Sequence, residues 1–199
     1  MSLLLKRRAM MLSRPQSNQI ILYDGNAEIG ADLFQIGGTY ASQTTCTSVF
    51  NPLYLDDADT TMRVVASAKG TGNRVSAVTA FRTKESLDLS GYSLLRFLVK
   101  SAELSSSSSY NIKFTTTMGV CDEENKDAYR LYNPSYLYDG AYSTTIENSL
   151  SQYLNNEVVS VDISAVKEGY VCGGLYSVRE ATASYGATSE IKILKIWLE

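Results

Sequence analysis

The chain has 199 residues, of which 44% are hydrophobic and 20% are charged, and this length suffices for one domain with a sizeable core. The formal net charge is -3, and four basic residues within the first sixteen leave a still more acidic remainder, which argues against nucleic acid as a partner. No run approaches the roughly 20 apolar residues of a membrane helix, so we expect no membrane insertion.

The first sixteen residues combine apolar side chains with a basic cluster. The positive charges do not precede a long apolar core, so we expect no signal peptide here. In a short helix ended by Pro15, apolar and basic side chains would share one face, although an unstructured tail is the alternative. We expect residues 1–16 to form a helical or extended docking segment that a partner protein orders. Its contact residues would be Leu4, Lys6, Arg7, Arg8, Met11 and Leu12.

Residues 17–199 are expected to form an all-β domain, an antiparallel, jelly-roll-like β-sandwich. A strand over 20–23 is followed by the turn Asp24-Gly25-Asn26. A strand over 33–36 then meets Gly37-Gly38, and the strand pattern resumes at Tyr40. Residues 62–68 and 74–81, joined by a glycine-containing loop, have the pattern of a hairpin. In its second strand, one face would carry Val75, Ala77, Thr79 and Phe81.

Residues 87–100 are dense in Leu, Phe and Val, and the turn signal Ser90-Gly91 lies within them. This pattern predicts the central strand of the sandwich, buried on both faces. The serine run 105–109 predicts a solvated hairpin tip. The next strand alternates, with one face for the core and one for water. Its core face would carry Tyr110, Ile112, Phe114, Thr116 and Met118.

The last third of the chain has one ambiguous element and three clear strands. Residues 144–154 fit either a short helix with a Thr144–Glu147 capping box or a loop with a short strand. Strands follow over 159–163, 170–178 and 191–198. In the last strand the apolar phase slips after Ile193, which predicts a β-bulge or burial of both faces. Its Trp197 is expected in the core.

Catalytic and metal-binding signatures are absent from the sequence. There is no histidine, which excludes Ser-His-Asp and Cys-His machinery and the usual zinc ligands. Cys46, Cys121 and Cys172 match no metal-ligand pattern, and we interpret them as buried free thiols rather than disulfide partners. We therefore expect no catalytic residue, no metal and no cofactor.

Two acidic clusters are the candidates for acid–base work or hard-metal binding. They are Asp56, Asp57 and Asp59, and Asp122, Glu123, Glu124 and Asp127. The first could offer oxygen ligands to calcium but lacks the EF-hand spacing. A glycosidase would need two carboxylates converging on one bond. Solvated loop charge is the favoured interpretation of both clusters.

Tyrosines are concentrated in residues 129–142. Their flat apolar faces and polar tips suit stacking on sugar rings or packing at a protein interface, and the alternative is that they close the edge of the core. The candidate ligand-binding residues are Tyr129, Tyr132, Tyr136, Tyr138 and Tyr142.

Several segments together carry a family resemblance. They are LLLKRRAMML, ILYDGN with FQIGGTY, LDLSGYSLLRFLVK, VVSVDIS with YVCGGLYS, and IKILKIWLE. Their order and spacing resemble small tail or minor structural proteins of Firmicutes phages and prophages, which are jelly-roll sandwiches similar to carbohydrate-binding modules. The resemblance implies a virion component assembled in the host cytoplasm.

The leading hypothesis is therefore a non-enzymatic virion structural protein of the tail or baseplate, homo-oligomeric and bound to other virion proteins. Its loops would be available for contact with a host cell-surface glycan. The alternative is a carbohydrate-binding module that uses the tyrosines. A glycosidase or lyase built on the acidic clusters is the third hypothesis.

Overall fold

The computed structural model describes residues 19–25, 30–71, 74–106, 112–133, 142–147, 154–179 and 186–199. The docking segment 1–16 lies outside the described residues. Twelve strands occur within these ranges: β1 (Ile20–Tyr23), β2 (Phe34–Ala41), β3 (Thr47–Asp56), β4 (Asp59–Ala68), β5 (Val75–Thr83), β6 (Leu87–Asp88), β7 (Leu94–Ser106), β8 (Ile112–Cys121), β9 (Tyr142–Glu147), β10 (Leu154–Asp162), β11 (Glu168–Arg179) and β12 (Ala187–Leu198).

The strands form two antiparallel sheets packed as a sandwich, which confirms the predicted fold class. The first sheet has the order β10-β7-β12-β4-β3, with β1 also paired to β12. The second has the order β2-β5-β11-β8-β9, with β6 paired to β11. Across the described ranges, the chain forms no helix whose length and hydropathy would suffice to cross a bilayer.

The core lies between the two sheets. As predicted, alternate residues of β5 share its inner face: Val75, Ala77 and Phe81 belong to the main apolar cluster. Thr79 reaches across the sandwich, where its Oγ1 donates a hydrogen bond of 2.6 Å to the carbonyl oxygen of Val65 in β4. The opposite face of β5 is therefore turned away from the core.

The predicted central strand differs from the structure in two respects. Residues 87–100 contain two strands, β6 and β7, separated by a turn where Gly91 has φ +98°. β7 lies inside the first sheet, between β10 and β12. Its side chains alternate, with Phe97 and Val99 in the core and Lys100 on the outer face, paired with Asp56. Burial on both faces was wrong because the outer positions, which include the charged Arg96 and Lys100, are partly exposed.

Two predicted hairpins connect different sheets instead. β4 and β5 are both present, but β4 belongs to the first sheet and β5 to the second; the same is true of β7 and β8. A glycine- or serine-rich loop indicates that the connection between two strands is short. It does not determine whether those two strands pair with each other. Of the serine run, Ser105 and Ser106 belong to β7, and residues 107–109 lie outside the described residues.

The remaining predictions near the C-terminus have clear outcomes. Thr144 to Glu147 belong to β9, so the helix was wrong there and the short strand is confirmed; residues 148–153 lie outside the described residues. The β12–β7 register shifts on both sides of Ile193, which confirms the bulge and keeps Ile193 and Ile196 both in the core. Trp197 is buried, as predicted, with the Lys195 ammonium 4.9 Å from its ring centroid.

Candidate functional site: a tyrosine-lined cleft

A loop lies across the outer face of the second sheet and creates the site. We call residues 122–133, between β8 and β9, the covering segment. A Cβ built on Gly38 of β2 would lie 2.8 Å from the backbone nitrogen of Tyr129. A Cβ built on Gly174 of β11 would lie 2.5 Å from the backbone nitrogen of Tyr132. Both positions therefore require glycine, because the backbone of the covering segment rests directly on them.

The strand register explains the path of the covering segment. Ala80 of β5 is opposite Gly38 on one side and Gly174 on the other, so three small residues form a row across three strands. The row continues to Thr117 of β8, whose Oγ1 donates a hydrogen bond of 2.9 Å to the carbonyl oxygen of Leu131. The interruption predicted at Gly37-Gly38 is a β-bulge, and both glycines lie within the continuous strand β2.

Beneath the covering segment lies a second, smaller apolar cluster. Leu131 is fully buried there with Ala80, Tyr170, Cys121 and Cys172. The structure confirms the cysteines as buried and free. The solvent-facing side predicted for β8 was wrong at Thr117, which is buried beneath the covering segment, whereas Thr115 is partly exposed.

Ion pairs and hydrogen bonds hold the covering segment to the sheet. Arg82, only 6% exposed, donates from Nη2 to Oδ1 of Asp127 over 2.7 Å. The Tyr170 hydroxyl donates to Glu123, and hydrogen bonds from Lys126 and Tyr170 lower the pKa of the Glu123 carboxyl. The second acidic cluster is thus part of the anchor of this loop.

A second row of residues crosses the same three strands, two positions along each strand from Gly38, Ala80 and Gly174. This row provides the floor and both walls of a cleft. Val78 of β5 is opposite Tyr40 on one side and Tyr176 on the other. Val78 is 1% exposed and forms the floor. The two tyrosines are separated by two strand spacings, about 10 Å at the backbone.

Each wall of the cleft is a stacked pair that joins the sheet to the covering segment. Tyr129 stacks on Tyr40 with a centroid distance of 5.2 Å and an interplanar angle of 23°. Tyr132 stacks on Tyr176 at 4.6 Å and 21°. Because each ring is held by a ring from another element, the walls are preformed.

The cleft between these pairs has a volume of about 500 Å³. Arg74 donates from Nη2 to the Tyr176 hydroxyl over 3.1 Å, and Arg130 donates from Nε to the Tyr129 hydroxyl over 3.0 Å. Burial, followed by the neighbouring Tyr176, raises the pKa of Tyr132. The remaining described lining residues are Ser42, Ser76, Val78 and Asn133.

The structure brings together only part of the predicted site. Tyr129 and Tyr132 line the cleft, whereas Tyr142 lies in β9 and Tyr136 and Tyr138 lie outside the described residues. The sequence analysis missed Tyr40 and Tyr176, along with Arg74 and Arg130. A signal for the two tyrosines does exist: each follows a glycine pair on a strand, in Gly38-Thr39-Tyr40 and Gly174-Leu175-Tyr176.

The two acidic clusters lie on different sheets and do not converge. Asp56 and Asp59 flank the two-residue turn of the β3–β4 hairpin, where Asp57 has φ 56°. Lys100 bonds both carboxylates, at 3.0 Å to Asp56 and 2.9 Å to Asp59, and Lys192 lies 3.1 Å from Asp56. Within the described part of the chain, no three acidic or cysteine side chains are grouped to hold a metal ion.

No protein-family model and no curated protein matches the chain. Among solved structures, TmCBM27, a carbohydrate-binding module for mannan, aligns at 8% identity over 92% of this chain and 96% of its own, with a TM-score of 0.42. TmCBM61, solved with β-1,4-galactotriose, aligns at 11% identity over 83% of this chain and 87% of its own, with a TM-score of 0.36.

A phage protein also has a similar fold. The enzymatically active domain of bacteriophage CBA120 tailspike protein 4 aligns at 9% identity over 83% of this chain, with a TM-score of 0.41, and this chain spans 19% of it. The structural neighbours therefore include carbohydrate-binding jelly-roll domains and a phage tailspike domain. At such identities the likeness concerns the type of fold alone.

Proposed function

We propose that the protein is a non-catalytic module that binds a glycan in the tyrosine cleft. The observation that carries the proposal is the pair of preformed aromatic walls, Tyr40 with Tyr129 and Tyr132 with Tyr176, on either side of one floor. Sugar rings present apolar C–H faces and polar edges, which match the faces and hydroxyl tips of tyrosine. A preorganised cleft also reduces the ordering cost of binding.

The expected affinity is modest. An aromatic contact contributes about 1 kcal/mol beyond its buried area, so four tyrosines together contribute about 4 kcal/mol, which corresponds to a dissociation constant of about 1 mM. Several sugar units would have to bind together, and multivalent display would raise the apparent affinity. We therefore expect an oligosaccharide, rather than a free monosaccharide, to be the ligand.

A glycan array tests this proposal. The wild-type protein, displayed multivalently, is compared with Tyr132→Ala, which removes one ring of a wall. The control is Ile36→Ala, which removes an exposed apolar side chain from β2 outside the cleft. We expect array signals for the wild type and the control, reduced at least fivefold for Tyr132→Ala. Absence of wild-type signal contradicts glycan binding, and equal signals for all three proteins contradict binding in the tyrosine cleft.

We further propose that this module belongs to a virion, as a tail- or baseplate-associated component of a Firmicutes phage or prophage. The supporting features are the sequence resemblance and the basic docking segment attached to an acidic remainder. In such a particle the docking segment would bind other virion proteins or sister subunits, and the cleft would face a host-surface glycan. Deletion of residues 1–14 should leave a folded protein that no longer assembles, as judged by light scattering.

A further inference from the structure

We infer that one lateral side of the sandwich is a homodimer interface, where a second copy of the chain packs against β2 and β3. Among the described residues, six large apolar side chains are exposed, and five of them lie on these two strands. Tyr40 belongs to the cleft, and we call the other four, Ile36, Val49, Leu53 and Leu55, the edge surface. Single exposed apolar residues are ordinary, whereas a cluster of them is typical of an interaction surface.

The edge surface lies where both sheets end on the same side of the molecule. β3 is at one end of the first sheet and β2 at one end of the second. Phe50 of β3 stacks on Phe81 of β5 with a centroid distance of 6.2 Å, and Ile36 of β2 is opposite Phe81 in the strand register. Within the described ranges neither strand pairs with a second neighbour on its outer side. This side of the core is therefore open to a partner.

The middle of β3 does not suit the addition of an extended strand. The β3–β4 register shifts between Asn51 and Tyr54, and Pro52, which lies between them, has no N–H to donate. A partner strand could not form a continuous ladder of backbone hydrogen bonds here, and an extended peptide depends on such a ladder. A folded partner that contributes apolar side chains does not, and a second copy contributes Leu53 and Leu55 from the same surface.

The charges at the two ends of β3 are complementary if a two-fold axis perpendicular to the strand relates the copies. Lys69 lies beside the beginning of β3, since its carbonyl oxygen accepts a hydrogen bond of 2.6 Å from Oγ1 of Thr45. Asp57 lies in the turn that follows the end of β3. Both residues are exposed. With the two β3 strands antiparallel, each Asp57 faces Lys69 of the other copy, whereas parallel strands would bring like charges together.

The size of the edge surface predicts a reversible dimer. β3 has ten residues and is therefore about 34 Å long, and packed sheets are about 10 Å apart. A contact of these dimensions is at the low end of specific interfaces, at roughly 1,200 Å² in total. We expect a dissociation constant of about 10 to 100 µM.

Sedimentation velocity of the full chain, from about 5 to about 500 µM, tests the inference. The wild-type sedimentation coefficient should rise with concentration to that of a dimer. Leu55, at 69% exposure, is the most exposed of these apolar residues, and Leu55→Glu should weaken dimerisation about tenfold. Val158→Glu is the matched control at the remaining exposed apolar residue, on β10 at the opposite end of the first sheet, and should leave dimerisation unchanged.

A charge exchange tests the antiparallel arrangement. Lys69→Glu places like charges beside Asp57 of the other copy and should weaken dimerisation about threefold. Lys69→Glu combined with Asp57→Lys exchanges the two charges and should restore the wild-type dissociation constant. Circular dichroism confirms that each variant is folded.

Three results would overturn the inference or its geometry. A wild-type chain that stays monomeric over the whole concentration range overturns the homodimer. Equal weakening by Leu55→Glu and Val158→Glu overturns the edge surface as the interface. If the double exchange dimerises no better than Lys69→Glu alone, the antiparallel arrangement is wrong.

Discussion

The backbone nitrogen of Tyr132 lies so close to Gly174 that a Cβ on Gly174 would approach it to 2.5 Å. This contact joins a loop residue to a strand residue 42 positions later and places the Tyr132 ring on Tyr176. The cleft therefore depends on a glycine that contributes no side chain to it.

Gly174→Val should displace the covering segment. The added side chain has no space beneath the loop backbone, and overpacking of this kind costs about 1 to 3 kcal/mol of unfolding free energy. Urea denaturation followed by circular dichroism measures the loss. Thr115→Val on β8, which introduces the same side chain at a partly exposed position without adding volume, is the control and should change stability by less than about 0.5 kcal/mol. Equal stability of Gly174→Val and wild type would contradict the close contact.

Asp127→Asn should loosen the covering segment. It removes the anionic partner of the largely buried Arg82 and should cost about 1 to 3 kcal/mol locally. Hydrogen exchange should accelerate at the amides of Ala128 and Leu131, which are hydrogen bonded within the segment. Asp57→Asn, in the exposed β3–β4 turn, is the charge-matched control. Unchanged exchange at both amides would show that the ion pair does not anchor the loop.

Asp56→Asn should remove part of the acid sensitivity of the fold. A hydrogen bond from Lys100, followed by one from Lys192, lowers the pKa of Asp56 below its usual value of 3.8. A folded pKa below the unfolded one stabilises the protein above about pH 4, and this contribution is lost as the pH falls through the folded pKa. The variant should lose about 1 kcal/mol at pH 7 and progressively less as the pH falls through the folded pKa of Asp56.

Urea denaturation at pH 7 and pH 2 compares this variant with the wild type. The difference between the two proteins should shrink at the lower pH, and Asp57→Asn should show no such pattern. A stability difference that grows on acidification would contradict the predicted stabilisation of the fold by the ionised Asp56 carboxylate.

Cys121 and Cys172 should be unreactive in the folded protein. Burial, together with the neighbouring Cys121 thiol, raises the pKa of the Cys172 thiol, and the covering segment excludes reagent. In a Cys46→Ser background, a disulfide reagent such as DTNB at pH 8 should label both thiols only after addition of urea. Asp127→Asn should accelerate labelling under native conditions. Rapid stoichiometric labelling of the folded protein would exclude this packing.

The periodicity of the sequence predicted those features that depend on neighbouring residues of one strand. The alternation of Val75, Ala77, Thr79 and Phe81 defined the inner face of β5, and the phase slip after Ile193 located the bulge in β12. The sandwich itself followed from several such strands. The assignment of consecutive strands to sheets could not be predicted, because a short loop can either close a hairpin or cross between layers.

The site was only partly predictable for a related reason. Tyr129 and Tyr132 were visible as a local concentration of tyrosine, whereas Tyr40 and Tyr176 became members of the cleft through the register of β2, β5 and β11. A glycine pair in the sequence can mark a turn or a place where another part of the chain packs closely. Gly38 and Gly174 provide space for the backbone of the covering segment.

The most direct test of glycan binding in the cleft is a nuclear magnetic resonance titration of the full chain with the array glycan of strongest signal. The account predicts that the largest amide shift changes cluster at Tyr40, Ser76, Val78, Tyr132 and Tyr176, and that Tyr176→Ala weakens binding about tenfold. Shift changes confined to the first sheet, around Asp56 and Lys192, with binding unaffected by Tyr176→Ala, would contradict it.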